Sequence, residues 1–104
     1  MNIQAYYKNI DRYRLPVLGF DLYDRIKYIN TTFEKTFQVS KQKLLNQNGA
    51  FFFGEDSFPY YVQPNIYKAG NGEIVNHFIS LTVQDGLKQN MMVEYFPLYS
   101  EKKK

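Results

Sequence analysis

Apolar residues recur at helical spacing at the start of the chain. They are three or four positions apart, which places them on one face of a helix, while charged residues occupy the other faces. Pro16 disfavours a helical backbone at the residue before it. The pattern therefore predicts an amphipathic helix over residues 1–14. The apolar face of that helix consists of Ile3, Tyr6, Tyr7, Ile10 and Tyr13.

The pattern then changes to the alternation that is typical of β-strands. Val17–Leu22 and Arg25–Asn30 are predicted to be two strands joined by a turn at Tyr23–Asp24. Ile26 and Tyr28 lie on one face of the second strand, because successive side chains of a strand point to opposite sides. We therefore expect a β-hairpin directly after the first helix.

A helix is expected to begin where this hairpin ends. Thr31 and Glu34 have the spacing of a capping box, in which each side chain accepts a hydrogen bond from the other residue's backbone amide. Asn30 is the alternative N-cap. Phe33 and Phe37 are four residues apart, so they share one face of this helix.

The middle of the chain combines aromatic residues with helix breakers. A short helix is predicted over Lys41–Asn46, and one more helical turn over Asn65–Lys68. Between them, Pro59 and Pro64 allow only short helical turns. The density of rings in this stretch indicates that it packs against the rest of the protein. Its aromatic residues are Phe51, Phe52, Phe53, Phe58, Tyr60 and Tyr61.

The last third of the chain alternates again with a period of two. Glu73–Gln84 is predicted to be a strand with His77 on its apolar face, Asp85–Gly86 has the composition of a tight hairpin turn, and a return strand follows. Two hairpins separated by short helices predict an α+β domain with one antiparallel sheet, and the short helices are expected to pack on one face of it.

Composition and charge narrow the possible functions. The chain has 104 residues, of which 44% are hydrophobic and 18% aromatic, so a folded single domain is expected. The absence of cysteine excludes disulfides, thiol nucleophiles and cysteine-linked flavins. Lys102, Lys103 and Lys104 account for the formal charge of +3, and the neutral remainder argues against a nucleic-acid partner. With no long apolar run and no signal-peptide pattern, we expect a cytoplasmic protein without membrane insertion.

Two stretches resemble the PAS domain family, the sensor and interaction module of bacterial signalling proteins. The first comprises Asp21–Phe33, Phe37–Ser40 and Lys43–Asn46, and it resembles the strand–turn–strand and the asparagine-headed helix of that family. Gln38 and Asn46 stand where the family usually has glycine. The likeness implies that this part of the chain is the first half of a PAS-like domain.

The second stretch resembles the paired strands that close a PAS domain. It comprises Gly72–Val75, Asp85–Gly86 and Pro97–Glu101. A PAS sheet has five strands, and the fifth would follow Lys104, so four are present and the fifth is missing. The resemblance implies a PAS-like domain over residues 15–104, preceded by the amphipathic helix over residues 1–14.

The resemblance also implies a function in signal transduction. A sensory or regulatory module of this type has no catalytic activity, and we expect no cofactor; it would bind a small ligand or a protein partner. A homodimer would pass the resulting change to an output domain, such as a histidine kinase or a cyclase. The dimer contact would be formed by the apolar face of the first helix, Ile3, Tyr6, Tyr7, Ile10 and Tyr13. The ligand-binding residues would be Tyr28, Phe33, Phe37, Leu45, Phe53, His77, Ile79, Leu81, Val93 and Tyr95.

Other interpretations of these residues stay open. The large rings favour a small or closed cavity over a large cofactor site. His77, the single histidine, is expected to be a core or rim residue rather than a ligand. Asp21 and Asp24 flank a turn and could bind a cation, but solvated turn carboxylates are the commoner outcome. The alternative functions are a stand-alone protein-interaction domain without a ligand and a small enzyme with an aromatic pocket.

Overall fold

The computed structural model describes residues 14–82, 86–95 and 97. Within them the α+β class predicted from the sequence is confirmed. The amphipathic helix predicted over residues 1–14, with its dimer face, lies outside the described residues except for Arg14. The elements are β1 (Leu18–Phe20), β2 (Ile26–Ile29), α1 (Thr31–Phe37), α2 (Lys41–Leu44), α3 (Ala50–Phe53), a π-helix (Phe58–Val62), α4 (Gln63–Gly70), β3 (Val75–Thr82) and β4 (Lys88–Tyr95).

The strands form two separate antiparallel pairs, β1–β2 and β3–β4. The prediction of one PAS-like sheet is therefore wrong for the described residues. Strands join a sheet only through direct backbone hydrogen bonds, and no described strand links β1 to β4. Instead, Phe58, Val62 and Ile66 of the helical segment pack against Phe20 of β1 on one side and Tyr95 of β4 on the other.

The first hairpin differs in detail from its prediction. The register shifts between Gly19 and Phe20, and the backbone N–H of Asp21 donates to the carbonyl of Arg25 over 3.0 Å. Asp24 has a φ of 65°, in the left-handed region that glycine usually occupies. The five residues 21–25 therefore connect the strands, with three of them inside the hydrogen bond from Asp21 to Arg25, in place of the predicted two-residue turn.

Asn30 is the N-cap of α1, which confirms the alternative of the two predicted caps, and Thr31 is the first residue of the helix. The Asn30 carboxamide oxygen accepts hydrogen bonds from the backbone N–H groups of Phe33 and Val17, each over 2.9 Å, and its nitrogen donates to the carbonyl of Leu15 over 2.9 Å. The Glu34 carboxylate accepts a hydrogen bond from the backbone N–H of Lys41 over 2.8 Å. Asn30 thus holds the chain before β1 against the start of α1.

The helical segment before the second hairpin is longer than the predicted turn over Asn65–Lys68. It begins as a π-helix, in which the backbone N–H of Gln63 donates to the carbonyl of Phe58, and continues as α4. Pro64 is tolerated there because it lies in the first turn of α4, where a backbone N–H needs no partner within the helix.

The second hairpin confirms the predicted alternation. Eight consecutive residue pairs join β3 to β4 without a bulge. Val75, His77, Ile79 and Leu81 are half-buried, whereas the residues between them are exposed. The half-buried face is turned toward the helices, because Ile79 and Tyr95 pack on the buried residues of the π-helix and α4.

Two buried clusters form the core, and phenylalanine rings link them. One cluster contains Ile26, Ile29, Phe33 and Leu44, and the other contains Phe58, Val62 and Ile66. Consecutive ring centroids lie 4.6 to 6.2 Å apart along a continuous series, within the range of favourable aromatic contacts. We call this series the phenylalanine chain. Its members, in order of contact, are Phe37, Phe33, Phe52, Phe53, Phe58 and Phe20.

Gly49 lies where two rings of this chain meet. It is buried, and a Cβ atom there would stand 2.7 Å from a ring carbon of Phe20 and also clash with the ring of Phe58. Only hydrogen fits between the two rings. Gly49 thus permits the contact that joins β1 to the π-helix.

We expect Gly49→Ala to lower the free energy of unfolding by about 1–3 kcal/mol, the usual effect of overpacking a core. Gly70→Ala is the matched control, because a Cβ there would lie 3.5 Å from Leu22, an ordinary contact distance. Urea unfolding of both variants measures the difference. Equal stabilities would show that Phe20 and Phe58 move apart without loss.

We expect Asn30→Ala to lower the free energy of unfolding by about 2 kcal/mol or more, because it removes an N-cap and leaves one buried and two partly buried backbone groups without their side-chain partner. Asn48→Ala is the control: Asn48 also accepts from a backbone N–H, that of Ala50 over 2.9 Å, but it is exposed. Thermal unfolding compares the two. A loss no larger than that of the control would contradict the structural role given to Asn30.

Candidate functional site

The residues predicted to bind a ligand fall into two groups. Phe33, Phe37 and Leu45 belong to the first core cluster, and Phe53, Ile79 and Tyr95 pack on the second. Phe33, Phe37 and Phe53 are themselves members of the phenylalanine chain, which joins the two groups. The remaining four residues are half-buried on β2, β3 and β4: Tyr28, His77, Leu81 and Val93. That these ten residues bind a ligand stays a prediction.

A different set of residues lines an open cleft of about 620 Å³ among the short helices. It lies between α1, α2 and α3, and none of the ten predicted residues lines it. Gln38, at a φ of 53°, ends α1 and turns the chain along its rim. We call it the helical cleft. Its lining residues are Glu34, Gln38, Val39, Ser40, Lys43, Leu44, Phe51 and Phe52.

The helical cleft combines apolar walls with a rim of mixed charge. The Phe51 side chain is 63% exposed and available to a bound molecule, whereas Phe52 is half-buried and belongs to the phenylalanine chain. Glu34 and Lys43 place one negative and one positive group on the rim. Such a surface suits an amphipathic molecule or an apolar side chain of a partner.

The two carboxylates beside the first turn have different environments. Asp21 is stabilised locally: its carboxylate accepts from the backbone N–H groups of Tyr23 (2.8 Å) and Arg25 (3.0 Å) and pairs with the Arg25 guanidinium (3.0 Å). Partial burial raises the pKa of Asp21, but these hydrogen bonds outweigh it and hold the pKa below the usual 3.8. Asp21 is therefore a structural turn residue.

Asp24 is buried, contrary to the expected solvated carboxylate. Only 8% of the residue is exposed. One carboxylate oxygen accepts from the Gln63 side chain over 2.5 Å and from the Tyr67 hydroxyl over 3.4 Å. The other oxygen is buried and has no hydrogen-bond partner in the described part of the protein. Gln63 and Tyr67 are four residues apart on α4, so they reach Asp24 from one helix face.

A second polar cluster joins α4 to the other hairpin. The Asn65 carboxamide nitrogen lies 2.6 Å from Nδ1 of His77 and also donates to the Tyr61 carbonyl over 3.0 Å. The Tyr95 hydroxyl lies 3.4 Å from Nε2 of His77, and the two rings meet edge to face. The sequence placed His77 on the inner face of its strand, but Asn65 carried no local signal of this contact.

The geometry of this cluster favours a neutral imidazole. An amide nitrogen only donates, so Nδ1 of His77 must accept and the ring proton lies on Nε2. Burial lowers the pKa of His77 below the usual 6.5. Burial also raises the pKa of Tyr95 to about 12, although the hydrogen bond with Asn65 acts in the opposite direction. Both groups are therefore uncharged at neutral pH.

The described residues offer no group of three or more histidine, aspartate or glutamate side chains that could hold a metal ion. None of the helices in the described part is long and apolar enough to cross a membrane. Comparison with known proteins finds no matching family model and no significantly similar curated protein. The assignment of a function therefore depends on the geometry of the cleft and of the two polar clusters.

We expect stability to fall as the pH drops below about 6.5, because the unfolded chain then binds a proton at its histidine more readily than the folded chain does. The contribution of His77 to the free energy of unfolding is fully present above pH 6.5. It is lost progressively as the pH falls from 6.5 toward the lowered pKa of His77 in the folded protein. An NMR titration of the single histidine gives that pKa, and thermal unfolding at several pH values gives the stability.

His77→Gln is the matched variant, because glutamine does not titrate. Its stability should lack the part of the pH dependence that lies near pH 6. A folded-state pKa of His77 at or above 6.5, or an unchanged pH profile in the variant, would contradict the assignment.

Proposed function

We propose that the chain is a sensory or regulatory module of the PAS type, without catalytic activity. The order of the described elements, a hairpin, a series of short helices and a longer hairpin, supports this proposal together with the sequence resemblance. The chain relays a change from a binding surface to a distant hairpin, and a homodimer passes it to an output domain.

One observation carries the proposal: a single helix has polar contacts with both hairpins. Gln63 and Tyr67 of α4 reach Asp24 of the first hairpin, and Asn65 of α4 reaches His77 of the second. Because the two hairpins share no backbone ladder, a displacement of α4 changes their relative position. This arrangement is suited to relaying a conformational change.

The helical cleft is the proposed entry point of the signal. A molecule bound there contacts Phe52, whose ring lies 4.8 Å from that of Phe53. Phe53 in turn stacks on Phe58 at 6.2 Å, and Phe58 is the first residue of the π-helix that leads into α4. Tightly packed side chains transmit small displacements because the interior has little free volume.

A stand-alone protein-interaction domain is the second candidate function. It is favoured by the outer face of the second hairpin, where Phe78 and Met92 are 72% and 58% exposed and stand directly opposite each other. Exposed apolar pairs on a sheet can bind another protein. In that case the phenylalanine chain would act only as a core and would relay nothing.

We expect Phe52→Leu to change the NMR signals of His77 and of the β3 amides, because it removes a ring from the middle of the phenylalanine chain. Phe51→Leu is the matched control: Phe51 lines the same cleft and lies next in sequence, but its side chain is largely exposed. The Phe51→Leu variant should change only the NMR signals of residues near the cleft. Equal effects of the two variants on His77, or none, would contradict the relay.

A further inference from the structure

The outer edge of β4 is a long, regular edge without a partner in the described part of the protein. All eight residues of β4 pair with β3 in one continuous register. The strand has no proline and no bulge, two features that protect exposed edges from pairing. An edge of this kind presents unpaired backbone N–H and C=O groups to another strand.

The charges on β4 are arranged in a way that favours a particular partner. Lys88 and Glu94 lie at opposite ends of the strand, are both exposed and point to the same face. They are six positions apart, about 20 Å along an extended strand, so they cannot pair within one molecule. In an antiparallel arrangement of two identical strands, however, each charge can stand opposite its complement.

We propose that β4 pairs with β4 of a second copy of this chain, antiparallel, across a twofold axis at Met91. The pairing forms one four-stranded sheet in the order β3–β4–β4–β3. It places Lys88 opposite the partner's Glu94, and Glu94 opposite the partner's Lys88. The contact is isologous, so it closes at the dimer rather than growing into a fibre.

The register at Met91 is the one that satisfies both charge and burial. Residues that stand opposite each other in a ladder have side chains on the same face of the sheet. The twofold axis must therefore lie between two copies of the same residue, not between two residues that are neighbours in sequence. An axis at Met92 or Asn90 would leave Lys88 and Glu94 without opposite charges. The axis at Met91 also brings Leu87, which is 66% exposed, beside the partner's Tyr95 and thereby covers it.

This inference names a contact for the dimer that the proposed function requires, and in that respect it depends on the proposed function. It does not require the apolar face predicted for residues 1–14. It also leaves the helical cleft and the phenylalanine chain untouched. The relay within one molecule can therefore be tested separately from the dimer contact.

The test is a charge exchange on the full chain. Sedimentation equilibrium over a concentration series measures dimerisation of the wild type, Lys88→Glu, Glu94→Lys and the double variant that carries both. Each single variant turns two attractive pairs into two repulsive ones and should weaken the dimer about tenfold or more. The double variant restores opposite charges at both positions, keeps the net charge of the wild type, and should regain its dimerisation.

Glu73→Lys is the matched control, because Glu73 is exposed, lies outside β4 and changes the net charge by the same amount as Glu94→Lys. It should leave dimerisation unchanged. A dimer that is unaffected by the single variants would place the contact elsewhere and overturn the inference while leaving the proposed dimer intact. A wild type that stays monomeric throughout would overturn both the inference and the dimeric part of the function, and the edge would then belong to a different partner.

Discussion

The packing of six phenylalanine rings is the interaction on which the rest of this structure depends. The rings connect the cluster under α1 with the cluster under the π-helix, and Phe20 of β1 packs against both. No backbone pairing joins the two described hairpins. The contact between Phe20 and Phe58 is possible only because Gly49 has no side chain. A small domain has room for little apolar surface beyond one such core. The second hairpin packs through Ile79 and Tyr95 on the cluster that contains Phe58, at one end of this series of rings.

The sequence predicted those features that depend on local periodicity. The alternation of β3 and β4, the shared face of Phe33 and Phe37 and the α+β class all follow from spacing along the chain. The sequence did not predict the burial of Asp24 or the contact of Asn65 with His77, because both depend on where α4 lies in three dimensions. The single sheet was wrong for the same reason: strand pairing between distant segments leaves no local pattern.

Partly buried polar groups between α4 and the hairpins define how these elements fit together. Apolar contacts tolerate sliding, whereas a hydrogen bond is lost when its partners shift by more than a fraction of an ångström. Gln63 and Asn65 therefore fix the position of α4 along both hairpins. The buried carboxylate oxygen of Asp24 that has no partner lowers the stability of this arrangement. The contact between Asp24 and α4 is therefore weaker than the burial of Asp24 alone suggests.

The separation of the two hairpins also affects the order of folding. Residues 17 to 53 contain the first hairpin, α1, α2 and α3, and the four buried residues of the first cluster all belong to this segment. Its contacts are close in sequence, so they form at a small loss of loop entropy. On a ribosome this half has all its core residues before β3 is synthesised. The second hairpin then packs on helices that are already present. The segment from Phe58 to Gly70 contacts both hairpins, so the two halves become one cooperative unit only when this segment is in place.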